Sequence, residues 1–524
     1  MSNSFYITTP LYYVNDRPHI GSAYTTLIAE MIAMYHRMKA DDVFFLTGTD
    51  EHGQKVQQAA EKNGISPQEH CDLYATRFQE LWSYFNLSND DFIRTTEDRH
   101  VKVVKHVLQD LFDKGEIYKD KHEGWYSVAD EMFITEKDYE EGKYRDVRRI
   151  CETNYYFKMS KYQNELIEHI SDHPDFIKPE NRKNEILGFL KQPLKDLCIS
   201  RPKERLSWGI ELPFDKDYVT YVWFDALLNY ITAPGYLQDD ERFQKIWKDT
   251  VHLIGKDILT THCVYWPTML MAAGIPLPKT IFAHGWWTSE GQKMSKSLGN
   301  FIDLETIQMH CDNVGKDAYR YYMAKEGPLF SDSDFSKERF YQTYNTDLAN
   351  NFGNLVNRIF KLVQKNFNGV IPKDNKQHKI INVTNEIKED IQKIGRPYSL
   401  IAKNLEVNVF NHLSQFNINA IARDIIGYIS NINSYLELTE PWKLAKTDLD
   451  STATILYTAL ASLRFSASLL YPLLPEKMTE FFSMLNSGDI PGSLMKWEDL
   501  KSGIELGEMK ALFPRFDMKL LETM

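Results

Sequence analysis

Apolar residues follow two rhythms along this chain. Short unbroken runs, Phe5-Tyr6-Ile7, Val43-Phe44-Phe45-Leu46, Val251-His252-Leu253-Ile254 and Thr280-Ile281-Phe282-Ala283, suit strands buried on both faces. Between them, apolar residues recur at three- and four-residue steps. Ile20, Tyr24, Leu27, Met31, Met34 and Met38 do so, predicting a helix with one buried face, and Pro18 reads as its first helical residue. Further helices are expected near 54–63, 67–85 and 97–114, with a strand at Asp91 to Thr96. Strands alternating with helices predict a doubly wound α/β sheet that binds ligands at the strands' carboxyl ends.

At Gly115 the rhythm changes. Gly124 to Val128 and Glu131 to Ile134 read as a hairpin, and the charge run Glu136 to Arg149 as a solvated surface. The stretch reaching Cys198 therefore reads as an insertion, after which the α/β pattern resumes at Ile199 to Pro213. Beyond about residue 335 only helical spacing remains, as in Leu348, Phe352, Leu355, Ile359 and Val363, which predicts an all-α bundle. The expected domains are 1–115 and 199–290 for the two halves of the sheet, 116–198 for the insertion, 291–340 for a loop and connecting region, and 341–524 for the bundle. Pro372 to His378 is the expected long loop of that bundle.

Composition narrows the class. At 524 residues, 43% hydrophobic and 26% charged, the chain has the make-up of a globular protein of several domains. It has no unbroken apolar run of about eighteen residues and no basic-then-apolar leader, so a cytoplasmic enzyme without membrane span is expected. Lys plus Arg number 61 against 73 Asp plus Glu, a net charge of −12, so any nucleic acid must meet a local face. Cys71, Cys151, Cys198, Cys263 and Cys311 are scattered without a C-x-x-C pair, which supports neither a disulfide framework nor a zinc knuckle.

Candidate chemistry gathers at a few places. His19-Ile20-Gly21-Ser22 opens the first helix, and His19 and Ser22, three apart, face the same way over unpaired backbone N–H groups, a place to hold phosphate. The second strand ends in Thr47-Gly48-Thr49-Asp50-Glu51-His52-Gly53. Trp223, Ala226, Leu227 and Tyr230 share one helical face, and Ile258, His262 and Trp266 another; together they wall a small apolar pocket or are ordinary core. After His284-Gly285, the loop Lys293-Met294-Ser295-Lys296-Ser297 can close two ammonium groups over a triphosphate. In the bundle, Asn354 and Arg358 share a stripe with Lys361 and Lys365, apart from the apolar face.

Lys293-Met294-Ser295-Lys296-Ser297 matches the signature loop of class I aminoacyl-tRNA synthetases. Paired with His19 to Ser22 at the other end of an α/β region, it marks the chain as similar to that class. Thr8 to Tyr13, Gly48 to Gly53, Ile199 to Pro213, Tyr221 to Tyr230, Ile254 to Trp266 and Glu440-Pro441-Trp442 resemble the methionyl-tRNA synthetases, so the likeness spans nearly the whole chain. The resemblance implies a Rossmann-like doubly wound catalytic domain, an inserted connective α+β domain, and an all-α anticodon-binding bundle. It also implies a ligase that makes methionyl-adenylate from L-methionine and ATP with Mg2+, then charges initiator and elongator tRNA(Met).

By the same resemblance, methionine is expected on Leu11, Tyr13, Asp50, Trp223, Ala226, Leu227, Tyr230, Ile258 and His262. ATP is expected on His19, Gly21, Asp257, His284, Gly285 and Lys296, with His19, Ser22, Lys293 and Lys296 acting in catalysis. Arg201 matches a further active-site position, and Asn354, Arg358 and Trp442 match anticodon contacts, although Trp442 alone reads equally as a buried helix-start residue. The chain departs from the family in two ways. Ser22 replaces a second histidine, and the insertion holds only Cys151 where many relatives carry paired cysteines, so no structural zinc is expected. With no appended module recognised after the bundle, a monomer is expected, in a bacterium or an organelle. Two rival readings are a nucleotidyltransferase with another substrate and a non-catalytic tRNA-binding relative.

Overall fold

A computed structural model describes residues 3–14, 17–127, 132–134, 136–289, 291–294, 301–373 and 398–523 of the chain. They fall into two compact units, Met1–Pro18 with Asp42–His284, and His19–Asp41 with Gly285–Met524.

The first unit is built on a parallel sheet of seven strands: β1 Ser4–Thr8, β2 Tyr12–Tyr13, β3 Asp42–Asp50, β4 Asp91–Arg94, β5 Ile177–Lys178, β6 Thr250–Gly255 and β7 Thr280–His284. The order is β4-β3-β1-β6-β7-β5, with β2 extending the side of β3 that β1 occupies. Pro10 explains the interruption between β1 and β2. It has no N–H to donate, so pairing stops at the Thr9 amide on Leu46 and resumes with Tyr12 opposite Thr49. Chain order reverses between β1 and β6, where Thr8 sits opposite His252. That switch point is where doubly wound sheets leave a ligand crevice.

Three expectations change here. The stretch 116–198 is not inserted as one piece. The strands Met132–Ile134, Ile117–Ser127, Val147–Phe157 and Leu197–Cys198 do form a separate antiparallel sheet in that order. Between them, however, the helices Gln163–Asp172 and Glu180–Phe189 bracket β5, which pairs with Ile281 and Phe282 as the edge of the main sheet. A two-residue strand has no period to read. Ile199 to Pro213 likewise does not rejoin the parallel sheet, since Ser200–Pro202 and Glu211–Leu212 flank Asp215–Thr220 antiparallel. Lastly, the first helix runs Ile20–Met38 with His19 as its N-cap, so Pro18 precedes the cap.

That helix belongs to the second unit and is buried nearly all round, not along one face. Tyr35 donates to the Leu469 carbonyl at 2.8 Å, and Tyr24 meets the ring of Trp287 edge-on. The unit continues through the helices Leu304–Val314, Lys316–Glu326 and Lys337–Thr343 into wide π turns at Tyr344–Gly353 and the helix Asn354–Phe367. Helices Tyr398–Ser414, Ile418–Thr439, Pro441–Leu444, Leu449–Leu470 and Pro475–Leu485 complete it. Leu348, Phe352, Leu355, Ile359 and Val363 are all buried, as their spacing predicts. Leu449–Leu470 is long and apolar enough to cross a membrane, yet nearly all of it is buried in the protein, and its Arg464 pairs with Asp489. It is a core helix. The expected loop Pro372 to His378 lies outside the described residues from position 374 on.

Candidate active site

In the first unit the expected pocket residues converge around Tyr230. The face expected for Tyr221 to Tyr230 is carried by two short helices, Val222–Leu227 and Asn229–Thr232. Ala226, Leu227 and Tyr230 are buried, with Trp223 partly exposed. After β6 the chain passes through Lys256–Ile258 into a π turn at Thr261–Tyr265, which carries His262. The His262 Nδ1 lies 3.0 Å from the Ile258 carbonyl, which can only accept, so this nitrogen carries the proton. Nε2 is then the acceptor for the Tyr230 hydroxyl at 2.9 Å. Burial pushes the His262 pKa down to about 4, so the ring is neutral at physiological pH.

A second histidine backs the first. The indole of Trp266 donates to His252 Nε2 at 3.1 Å, which puts the His252 proton on Nδ1, facing Thr8 Oγ1 at 2.8 Å. Burial, then the neighbouring His262, holds its pKa well down. Tyr230 packs on the His252 ring at 4.2 Å, and its carbonyl takes the Tyr6 hydroxyl at 3.0 Å. The core and pocket alternatives therefore both hold: Trp266 is fully buried core, while Tyr230 and His262 form a polar pair.

The ends of β2 and β3 bring the remaining pocket candidates. Tyr13 stands opposite Asp50 in the register, and its hydroxyl donates to the His52 carbonyl at 3.1 Å. Asp50 is buried, and its charge, after burial and Tyr12, raises the pKa of the Tyr230 phenol. Leu11 abuts Gly48, where a Cβ would fall 2.9 Å from its Cδ2 and 2.0 Å from the Ile93 carbonyl oxygen. Only glycine fits that crossing.

Sequence reasoning gave no role to the groups that brace this loop. Glu51, fully buried, accepts Arg94 at 2.6 and 3.0 Å, Thr49 at 2.7 Å and Thr96 at 2.5 Å. Asp225 takes His52 and His100. The polar run at 47–53 was the only signal of this network, and it does not point to Arg94 or His100.

Asp257 and His284 meet across the ends of β6 and β7. A Cβ on Gly255 would lie 2.5 Å from Asp257 Oδ1 and 3.8 Å from His284 Cε1. Arg201 is buried over the Tyr221 ring at 4.5 Å, and Nη1 donates to the Ser200 carbonyl at 2.7 Å.

The second unit holds the phosphate-motif residues. His19 Nδ1 accepts the Gly21 amide at 3.0 Å, and the imidazole lies so close that a Cβ on Gly21 would be 2.8 Å from Cε1. This explains the glycine two residues after the histidine. Ser22 departs from expectation: it is buried, its hydroxyl donates to the His19 carbonyl at 2.8 Å and accepts the His19 amide at 3.0 Å. It closes a capping box and does not face out over the first turn. Gly285, expected near the adenine, is instead pressed on by the 331–332 backbone, 2.7 Å from where a Cβ would stand, and its amide donates to Pro328 at 2.7 Å.

Lys293 pairs through its backbone with Thr288, while Lys296 lies outside the described residues. The chain beyond the signature loop lands on the helix start: Asp303 bridges to His19, the Ile20 amide donates to Ile302 at 3.0 Å, and Phe301 packs on the His19 ring at 5.3 Å. In the bundle the Arg358 guanidinium lies 5.3 Å from the Trp442 ring centre and pairs with Glu437 at 2.7 Å. Trp442 is partly exposed, so it is not a buried helix-start residue, and Asn354, one turn from Arg358, is exposed.

A doubly wound parallel sheet with these two phosphate motifs defines a class I aminoacyl-tRNA synthetase. The family description "tRNA synthetases class I (M)" matches residues 5–151 and 142–360, and "Anticodon binding domain of methionyl tRNA ligase" matches 400–515. The methionine–tRNA ligase of Caldanaerobacter subterraneus is 41% identical over 99% of this chain and 80% of its own length; that of Rickettsia conorii is 41% identical over 99% and 100%. Mycobacterium tuberculosis methionyl-tRNA synthetase in complex with methionyl-adenylate superposes with a TM-score of 0.88 at 35% identity, covering 98% of this chain and 100% of that one. The chain belongs to the methionyl-tRNA synthetase family.

Proposed function

We propose that this ligase joins methionine to tRNA through the following assignment of residues. Asp50 pairs with the methionine ammonium group, and Leu11, Tyr13, Trp223, Ala226, Leu227, Tyr230, Ile258 and His262 enclose the side chain. With the Tyr230 proton committed to His262, the pocket offers the thioether ring surface and shape, against which polarizable sulfur packs well. The methionine carboxylate attacks the α-phosphorus of ATP and pyrophosphate leaves; a terminal ribose hydroxyl of tRNA then takes the methionyl group and AMP leaves.

Because His19 Nδ1 accepts the Gly21 amide, the neutral ring keeps its proton on Nε2, a donor suited to a phosphate oxygen. Lys293 and Lys296 supply charge to the leaving phosphates, Asp257 and His284 hold the nucleoside, and Arg201 supports the site from beneath. Magnesium would accompany the phosphates. Among the described residues no group of three or more His, Cys, Asp or Glu is placed to hold a metal ion, so its ligands would be phosphate oxygens and water.

Asn354, Arg358 and Trp442 read the anticodon by edge hydrogen bonds and stacking, in initiator and elongator tRNA alike. Every proposed residue comes from one chain, which suits a monomer, and the bacterial relatives suit a bacterial cytoplasm. The observation carrying the assignment is the convergence of Tyr13, Asp50, Tyr230 and His262 at the strand ends of one sheet. Pyrophosphate exchange into ATP tests it: exchange should require methionine, and exchange driven by another amino acid, or none at all, would overturn the assignment.

A further inference from the structure

Asp225 is fully buried, and the reaction as written gives it nothing to do. It sits in the helix Val222–Leu227, next to Ala226 and two residues before Leu227. Its Oδ2 lies 2.6 Å from His52 Nδ1, and its Oδ1 lies 2.7 Å from His100 Nε2. The partners come from separate elements, His52 from the run after β3 and His100 from within the helix Asp98–Asp113. A carboxylate can only accept, so each ring presents an N–H at the named atom. Burial opposes the charge on Asp225, but attraction to His52 and the bonds from both rings outweigh it and hold the carboxyl below its ordinary range.

The mechanical consequence runs through His52. Its carbonyl accepts the Tyr13 hydroxyl, and at Gly53, where φ is +111°, a Cβ would stand 2.6 Å from that same oxygen. Fixing the His52 ring therefore fixes the peptide on which Tyr13 rests, and Tyr13 is in register with Asp50. One carboxylate thus ties the wall made by Tyr13 and Asp50 to the wall made by Ala226 and Leu227, and His100, with Thr232 Oγ1 3.5 Å from its Nδ1, anchors both to a third helix.

We propose that His52 and His100, clamped on Asp225, are positioning residues for methionine that hold the two walls of its pocket at the spacing the side chain requires. The inference rests on the reading of that pocket as the methionine site. Pyrophosphate exchange with KM measured separately for methionine and ATP tests it in His52→Ala, His52→Asn, His100→Ala, His100→Gln and Tyr230→Phe. The Asn amide can replace a donor at Nδ1 and the Gln amide one at Nε2. His52→Ala should raise the methionine KM about tenfold with the ATP KM within about threefold, and His52→Asn and His100→Gln should recover most of the loss of their alanine counterparts.

A methionine KM in His52→Ala within about threefold of the parent overturns the proposal, as does an equal rise for both substrates or an Asn variant as impaired as Ala. If the alanine variants do not fold, Asp225→Asn, which keeps the shape but must present N–H2 to one ring, decides: a selective rise in methionine KM supports the clamp and an unchanged KM overturns it. Tyr230→Phe separates the two readings. If it raises the methionine KM while His52→Ala does not, only the clamp fails; if Tyr230→Phe has no effect, the pocket reading itself fails.

Discussion

Tyr230 and His262 in the first unit, and His19 and Ser22 in the second, are both hydrogen-bonded pairs, but they are built from different materials. In the pocket, side chains bond to side chains out of contact with water, and burial sets the protonation of every ring. At the helix start, side chains bond to backbone, and the helix's own amides are the available donors. An apolar amino acid can be chosen only by shape, so its pocket must be rigid and dry. Phosphate needs charge and N–H groups, which any helix start supplies, so there the side chains need only hold the terminus in order.

The strongest way to break this contrast is Asp50→Ala, which removes the pocket's proposed charge partner from a buried position. Methionine-dependent exchange should fall about a thousandfold, about 4 kcal/mol, mostly as methionine KM; a loss confined to ATP KM would reverse the assignment. Next is pH. His262 has an ordinary value of 6.5 and a folded value of about 4, so as pH falls the unfolded chain takes the proton first. Its share of stability is therefore complete above about pH 6.5 and is lost as pH drops toward 4, by up to about 3 kcal/mol. Denaturant titrations at about pH 7.5 and about pH 4.5 should show a smaller difference in His262→Asn, whose amide keeps the bond to Ile258 but does not titrate.

A third test moves to the other region. His19→Ala should slow adenylate formation at least about tenfold, about 1.4 kcal/mol, with methionine KM unchanged. The smallest effect is expected from Ser22→Ala: loss of about 1 kcal/mol of stability, read as a lower melting temperature, and exchange within about threefold of the parent. A much larger loss of exchange would return Ser22 to the phosphate site.

How much of this could be read from the sequence depended on the length of the pattern. The helices Gln54–Asn63 and Pro67–Tyr84 fall where their spacing and the Ser66 cap put them, and the strands of the sheet core announced themselves as apolar runs. β5, two residues long, left no trace. The helix Ile20–Met38 was legible as a helix but not as one buried all round, because Ser22, Thr25 and Thr26 satisfy their hydroxyls on its own carbonyls and so pass as polar positions. For the site, family likeness placed Tyr230 and His262 in one pocket, where the structure brings them within hydrogen-bond distance. It misplaced Ser22, since a serine that caps and one that binds phosphate look the same in a string of letters. It passed over the clamp on Asp225, whose partners lie 173 and 125 residues away.

The wide turns at Tyr344–Gly353 carry one more lesson. A π turn is what a single surplus residue leaves behind in a helix, and it acts as a phase setter for all that follows. Asn354 and Arg358 point outward, and Leu355, Ile359 and Val363 inward, because that surplus has been absorbed upstream. Excising one residue there, Ala349 for example, would advance the downstream helix by about 100°, as a clock hand skips an hour mark. The apolar stripe would swing toward water and the asparagine and arginine toward the core. For this helix, then, the number of residues before Asn354 matters as much as their identity, and a one-residue deletion far from any proposed contact would disable the face more thoroughly than most substitutions within it.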